Sequence, residues 1–293
     1  MKKIGSILII AILISACGSS KNTVAATSTA TVTDVETKKP VEKIIKDTVI
    51  VDSPAETIKK AIKKEKEIIE EEKVVQTLPE VFNHSGWDQL LTKHVTADGR
   101  VNYEGFRNDK GILRDYITSL GANMPSESWT REDKLAYWMN AYNAMTVDLI
   151  VRNLPLESIK DIDKPWNQHL WKLGDKWYNL DEIEHQILRK MGDARIHFGI
   201  NCASFSCPPL LNSAFTSENV EKQLDGVART FVNDTKRNQI SENNIKISKI
   251  FSWFAKDFKA DGSLIDFLNR YSETTISSKA RKSYMDYDWT LNK

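Results

Sequence analysis

Residues 130–153 read TREDKLAYWMNAYNAMTVDLIVRN, and this stretch predicts one long helix at the centre of the fold. Thr130 and Asp133 have the spacing of a capping box, and Pro155 marks the end of the helix. At about 100° per residue the stretch has two largely apolar faces and only a narrow strip, at Tyr137, Ala141 and Asp148, suited to water. We therefore predict that the helix is covered on most of its sides. The first face contains Leu135, Trp138, Met139, Tyr142, Thr146 and Leu149, and the second contains Ala136, Asn140, Ala144, Val147 and Val151.

The segments around this helix predict a small sheet. From Arg195 to Cys202, apolar residues alternate with others, which is typical of a β-strand. The Gly-Asp pair at residues 174–175 and the Asp-Gly pair at residues 98–99 each predict a hairpin turn. The fold class that follows is α+β, with a helical shell around a small, mainly antiparallel sheet in a single domain.

The distribution of aromatic residues sets the boundary of the globular domain. All 26 aromatic side chains (8 Trp, 8 Tyr and 10 Phe) lie at or beyond Phe82, so the predicted domain is 82–293. The 41 basic and 40 acidic side chains give a net charge of +1, which argues against a nucleic-acid partner. A mean hydropathy of −0.42 excludes a polytopic membrane protein.

The N-terminus predicts a lipid-anchored protein of the cell envelope. A basic start precedes an apolar run over residues 4–15, which is too short to span a bilayer, and Ile14-Ser-Ala-Cys17 resembles the lipobox of bacterial lipoproteins. Acyl chains on Cys17 would make the membrane a partner, with an outer or periplasm-facing membrane favoured over the cytoplasm. An ordinary secretory signal is the alternative. The predicted segments are a signal peptide at 1–16, a tether at 17–55 and a charged helical spacer at 56–80.

Sequence motifs for cofactors are absent. The five His and three Cys residues have no Cys-x-x-Cys, His-x-x-x-His or His-Glu-x-x-His spacing, and there is no Gly-rich phosphate loop. We therefore predict neither a metal site nor a cofactor. The sequence leaves the oligomeric state open.

A cysteine nucleophile is the chemistry that the remaining residues favour. Cys202 ends the predicted strand, and strand parity places His197 on the opposite face. His185 lies on a helix predicted to end before Gly192, so it is the candidate general base, with Glu184 or Asn140 as the orienting group. This set predicts a hydrolase or acyl transferase for amide or peptide-like substrates. The residues predicted to bind substrate are Asn143, Ser206 and Trp138.

Two other interpretations of the same residues stay open. Cys202 and Cys207 are both suited to an oxidising compartment and could form a disulfide that closes a small loop. The Trp residues at 129, 138, 166, 171 and 177 could line a groove for a peptide-like or glycan ligand. In that case the protein is a non-catalytic binding or scaffold module.

Three blocks of the sequence resemble the family called domain of unknown function 547, which occurs in bacterial lipoproteins and in plants. The blocks are Tyr137–Ala144, Leu180–Arg189 and His197–Pro208, and the resemblance extends roughly over residues 87–258. It implies no assigned reaction. It places Asn140, Asn143, Glu184, His185 and Cys202 in shared blocks, and it implies a serine at the position of Cys207 in plant members, which favours Cys202 as the functional thiol.

Overall fold

A computed structural model describes residue 56, residues 58–66 and residues 81–293 of the chain. The predicted signal peptide, the lipidation site at Cys17 and the tether lie outside the described residues. Residues 58–66 are helical and exposed along their length. Within the described residues, no helix has the length and apolar character needed to cross a membrane.

The globular part is built mainly from helices. The α-helices of residues 81–293 are α1 (Ser85–His94), α2 (Tyr103–Asn108), α3 (Lys110–Ala122), α4 (Arg131–Asn153), α5 (Ile196–Gly199), α6 (Val220–Val232), α7 (Ile250–Trp253) and α8 (Leu264–Asn269). Short 3-10 turns lie at Ile159–Asp161, Leu188–Met191 and Asp257–Lys259, and a π-helical turn at Glu182–Ile187.

Helix α4 forms the buried centre, as its sequence predicts. The Thr130 hydroxyl accepts the N–H of Asp133, whose carboxylate accepts the N–H of Thr130, which completes the predicted capping box. Of its 23 residues, 18 are buried, and these include the strip predicted to suit water. Asp148 in that strip is 0% exposed and is satisfied by Arg114, Arg152 and the indole of Trp171. The helix is therefore covered on all sides over its middle turns.

Two small sheets accompany the helices and confirm the α+β prediction. Strands β1 (Trp171–Leu173) and β2 (Lys176–Tyr178) form the predicted hairpin at residues 174–175. The second sheet has the order β3 (Gln239–Ile240), β4 (Asn244–Ile247) and β5 (Arg281–Tyr284), with β3 antiparallel and β5 parallel to β4. The hairpin predicted at residues 98–99 is reduced to a single antiparallel bridge.

The strand predicted from Arg195 to Cys202 is wrong. Helix α5 occupies Ile196–Gly199, and the residues after it are loop. Ile196 packs in the core around α4, whereas Phe198 packs in a second core cluster with α6, α7 and α8. Apolar residues therefore alternate because this turn is buried between two clusters, and so short a run does not distinguish a strand from a buried helical turn. A Cβ at Gly199 would meet the end of the Met139 side chain, which would have to move.

Candidate active site

A cleft of about 290 Å³ brings together the titratable side chains of the two motif regions. Its walls consist of aromatic rings and of acidic, imidazole and thiol groups. The lining residues are Tyr142, Trp166, Asn167, Asp181, Glu184, His185, His197, Ile200, Cys202, Cys207, Ile250, Trp253, Phe254, Tyr287 and Trp289. Cys202, His185 and Glu184, predicted separately from the sequence, thus line one cavity.

The thiol of Cys202 has three side-chain partners, and none is an imidazole. Its Sγ lies 2.7 Å from the Sγ of Cys207, 3.2 Å from the Oγ of Ser204 and 3.4 Å from the hydroxyl of Tyr287. The Cys202 N–H donates to the Cys207 Sγ over 2.9 Å. Both cysteines are free; Cys202 is half-buried and Cys207 is buried. The candidate nucleophile therefore lies among hydrogen-bond donors.

These contacts separate the pKa values of the two thiols. The hydrogen bond from Cys207 lowers the pKa of Cys202 to about 6; burial opposes this effect, and the hydroxyls of Ser204 and Tyr287 reinforce it. Burial raises the pKa of Cys207 well above its ordinary value, and the adjacent Cys202 sulfur raises it further. These contacts therefore favour the thiolate form at Cys202 and the protonated thiol at Cys207.

The loop that carries Cys202 is fixed to α4 and to its own far end. The side-chain amide of Asn143 donates to the carbonyl of Gly199 and accepts the N–H of Asn201, at 2.9 and 2.8 Å. Asn201 in turn donates to the carbonyl of Pro208 over 2.7 Å. Ala203 has a φ of 61°, a left-handed conformation, and its N–H donates to the side-chain oxygen of Asn201 over 2.8 Å. The predicted substrate ligand Asn143 thus positions the loop instead of lining the cleft.

Glu184 lies on the π-helical turn, a type of helix found frequently at functional sites. Its carboxylate accepts a hydrogen bond from the hydroxyl of Tyr142 over 3.2 Å. Burial raises the pKa of Glu184 to about 7, although the charges of His185 and Arg189 oppose the increase. A carboxyl group with this pKa can both donate and accept a proton near neutral pH.

The two cleft histidines are engaged with charged partners. His185 Nδ1 accepts a hydrogen bond from Arg189 over 3.2 Å, and its Nε2 lies 3.5 Å from a carboxylate oxygen of Asp181. His197 lies 2.8 Å from the Asp257 carboxylate and stacks on Phe254, whose centroid is 3.9 Å away. The prediction that His197 and Cys202 lie on opposite faces depended on the strand and is wrong, because both side chains line the same cleft.

Three other predicted site residues lie in structural contacts. Asn140 donates to the carbonyl of Phe215 and accepts its N–H, at 2.8 and 3.0 Å, within the core. Trp138 is buried and packs on the rings of its neighbours Tyr137 and Tyr178. The hydroxyl of Ser206 accepts a hydrogen bond from the backbone N–H of Asp288 over 2.9 Å.

Sequence reasoning missed the C-terminal wall of the cleft. Tyr287 and Trp289 reach it because the last residues pair with the Cys202 loop, where the N–H of Phe205 donates to the carbonyl of Thr290 over 2.7 Å. Their rings form an aromatic cluster with Trp253. The signal available in the sequence was the density of aromatic residues at 284–289.

Comparison with known proteins gives one finding. Residues 126–232 match DUF547, a family described as a protein of unknown function. No curated protein and no solved structure matches the chain. The DUF547 segment contains Glu184, His185, Cys202 and Cys207, but Trp253, Tyr287 and Trp289 of the aromatic cluster lie beyond it. Across the described ranges, no cluster of three or more His, Cys, Asp or Glu side chains could hold a metal ion.

The acidic thiol predicts an unusual pH dependence of alkylation. We expect the rate at which iodoacetamide labels Cys202 to rise through a midpoint near pH 6, and not near the value of about 8.5 for an ordinary thiol. Cys207→Ala removes the S–H donor and should raise the midpoint by at least about one pH unit. Peptide mapping after timed labelling separates Cys202 from Cys17. A wild-type midpoint near that of an ordinary thiol would contradict the prediction.

Proposed function

We propose that this chain is a lipid-anchored protein of the cell envelope that acts as a cysteine-dependent hydrolase or acyl transferase on amide or peptide-like substrates. One observation carries the catalytic part. The thiol of Cys202 lines a cleft, and its hydrogen bonds lower its pKa to about 6. A thiolate is the nucleophilic form of cysteine, and the hydrogen bonds to Cys202 favour it without an imidazole partner.

Glu184 suits the proton-transfer role better than the sequence candidate His185. It lines the cleft with Cys202, and the Cys202 charge is one of the effects that raise its pKa to about 7. His185 is held instead by Arg189 and Asp181. A pKa near the working pH is the value at which a general acid and base is most effective.

The reaction then has two steps. The Cys202 sulfur bonds to the substrate carbonyl carbon, and the C–N bond breaks as the leaving amine takes the proton of Glu184. In the second step, the Glu184 carboxylate removes a proton from water or from an acceptor amine, and the acceptor bonds to the thioester carbon. The S–C bond breaks, Cys202 returns as a thiolate, and Glu184 is protonated again.

The aromatic walls suit a substrate with flat or apolar faces. Trp166, Trp253 and Trp289 line the same cleft as Cys202. Rings of this kind bind peptide side chains and sugar faces alike. The second candidate function is a non-catalytic envelope module that binds a peptide-like or glycan ligand in a Trp-lined groove, and it would use this same cleft. Of the five Trp residues predicted to line that groove, Trp166 lines the cleft and the other four do not.

The anchoring part of the proposal rests on the sequence. The apolar run over residues 4–15 and the lipobox-like Ile14-Ser-Ala-Cys17 support acylation of Cys17. Two or three acyl chains on that residue would hold the protein stably at a membrane surface.

Acylation by p-nitrophenyl acetate tests the catalytic part. With the reduced full-length protein, we expect a burst of p-nitrophenol equal to the protein concentration and an acetyl group on Cys202 in the peptide map. Cys202→Ala should lose both. Glu184→Gln should keep the burst, because nitrophenolate leaves without a proton, but should slow hydrolysis of the thioester by roughly 10²- to 10⁴-fold.

Glu182→Gln is the matched control, because Glu182 lies on the same π-helical turn and pairs with Lys176 outside the cleft. It should leave burst and hydrolysis unchanged. If Cys202 of the folded protein is not acetylated and Cys202→Ala gives an equal burst, Cys202 is not the nucleophile. The binding module would then be the remaining candidate function.

A further inference from the structure

The two cysteines of the candidate site differ in a way that acyl chemistry does not require. The sulfurs of Cys202 and Cys207 are 2.7 Å apart, and a disulfide needs an approach of only about 0.7 Å more. Both cysteines line the cleft, but Cys202 is half-buried, whereas Cys207 is only 4% exposed. A more exposed thiol beside a buried one suits an exchange in which the first attacks an external disulfide and the second then attacks the mixed disulfide and releases the bound group.

We propose that Cys202 and Cys207 form a dithiol–disulfide exchange pair that reduces low-molecular-weight disulfides, with Cys202 as the attacking thiol and Cys207 as the resolving thiol. This activity shares its nucleophile with the proposed function but needs no acyl substrate. The oxidised form, in turn, withholds Cys202 from acyl chemistry.

The backbone around the pair is already fixed for closure. Arg237 donates to the carbonyls of Phe205 and Cys207, at 2.6 and 2.8 Å, and so holds the loop on the Cys207 side. Asn201 holds the other side through its bond to Pro208. Since both ends are anchored, little conformational entropy remains to be lost when the sulfurs join.

The thiol pKa values support the same division of roles. The lowered pKa of Cys202 provides the attacking thiolate, and the raised pKa of Cys207 keeps its proton until the mixed disulfide has formed.

Electrons and atoms balance with a disulfide as the oxidant. The Cys202 thiolate attacks one sulfur of glutathione disulfide, whose S–S bond breaks, and one glutathione thiolate leaves and takes a proton from water. Cys207 then bonds to the Cys202 sulfur, the mixed disulfide breaks, and the second glutathione thiolate leaves with the proton of Cys207. The protein loses two electrons, and one glutathione disulfide becomes two glutathione thiols.

Glutathione disulfide is therefore the probe, used on the reduced full-length chain carrying Cys17→Ser. We expect the wild-type pair to close and to release two glutathione molecules per protein, with no lasting adduct. Cys207→Ser keeps a hydrogen-bond donor but removes the second sulfur, so one glutathione should stay on Cys202. Its loss to about 1 mM glutathione should be at least about 100-fold slower than resolution in the wild type, because the second thiol acts at a far higher effective concentration. Cys202→Ser should form neither product.

A stable glutathione adduct on Cys202 of the wild type, or a wild type that forms no disulfide while Cys207→Ser is glutathionylated, would overturn the proposal. The result with the intact pair needs no substitution at Cys202 or Cys207, so it stands even if a variant at either position misfolds. The p-nitrophenyl acetate test on Cys207→Ser separates this inference from the proposed function. If Cys202 is acetylated but the wild type forms no disulfide, only the proposed acyl chemistry is supported. If the disulfide forms but Cys202 is not acetylated, only the exchange pair is supported.

Discussion

Asn143→Ala should lower the free energy of unfolding by about 2–6 kcal/mol and should also raise the alkylation midpoint of Cys202 by about one pH unit. Asn143 is 2% exposed, and its amide satisfies the carbonyl of Gly199 and the N–H of Asn201. Alanine leaves both backbone groups buried without partners, each at a cost of about 1–3 kcal/mol. The same bonds hold the residue before Cys202, so the contact that makes this thiol acidic should loosen.

Asn140→Ala is a closely matched control. Asn140 lies one turn earlier on α4, is 0% exposed, and makes the same pair of bonds to the backbone of Phe215. The Asn140→Ala variant should lose a similar free energy of unfolding, and the alkylation midpoint of Cys202 should not change. Urea unfolding and iodoacetamide labelling of both variants give the two quantities. Equal shifts of the midpoint in both variants would mean that general loosening, and not the Asn143 bonds, sets the thiol acidity.

The centre of the fold was predictable because its signals are local. Thr130 and Asp133 mark the start of α4 within one turn, and the spacing of its apolar residues marks its faces. The sequence also places Asn140 and Asn143 on a helix covered on most sides, where a side-chain amide needs hydrogen-bond partners. It did not indicate which partners, because Phe215 and Gly199 are separated from them by 75 and 56 residues.

The site was predictable only in part, for a related reason. Glu184, His185 and Cys202 stand in motif blocks near one another in the chain, and they do meet in one cleft. Tyr287 lies 85 residues from Cys202 and reaches it through pairing of the C-terminal segment, which leaves no periodic signal. The strand predicted over 195–202 is wrong because a short helical turn buried on two sides has the same alternation of apolar residues as a strand.

Glu184→Gln should raise the free energy of unfolding above pH 7 by about 3 kcal/mol and leave it unchanged below about pH 4.5. Burial raises the pKa of Glu184 from 4.5 to about 7 in the folded protein. Between these values the unfolded chain ionises first, so the wild type loses stability as the pH rises, and the loss is complete above pH 7. Glutamine carries no charge and can still accept the hydroxyl of Tyr142.

Glu182→Gln should change the free energy of unfolding in the opposite direction, so it is a control for the effect of Glu184→Gln. Partial burial raises the pKa of Glu182, but the hydrogen bonds from Lys176 and from the N–H of Asn179 outweigh this, and the net pKa is lowered. A lowered carboxyl pKa contributes stability above the unfolded pKa, so its removal should destabilise the protein at neutral pH. The Cys202 thiolate also adds stability as the pH rises, so each variant is compared with the wild type at every pH in urea titrations. A Glu184→Gln difference that does not change between acidic and alkaline pH would mean that this carboxyl does not titrate near neutrality, and its role as proton donor and acceptor would fail with it.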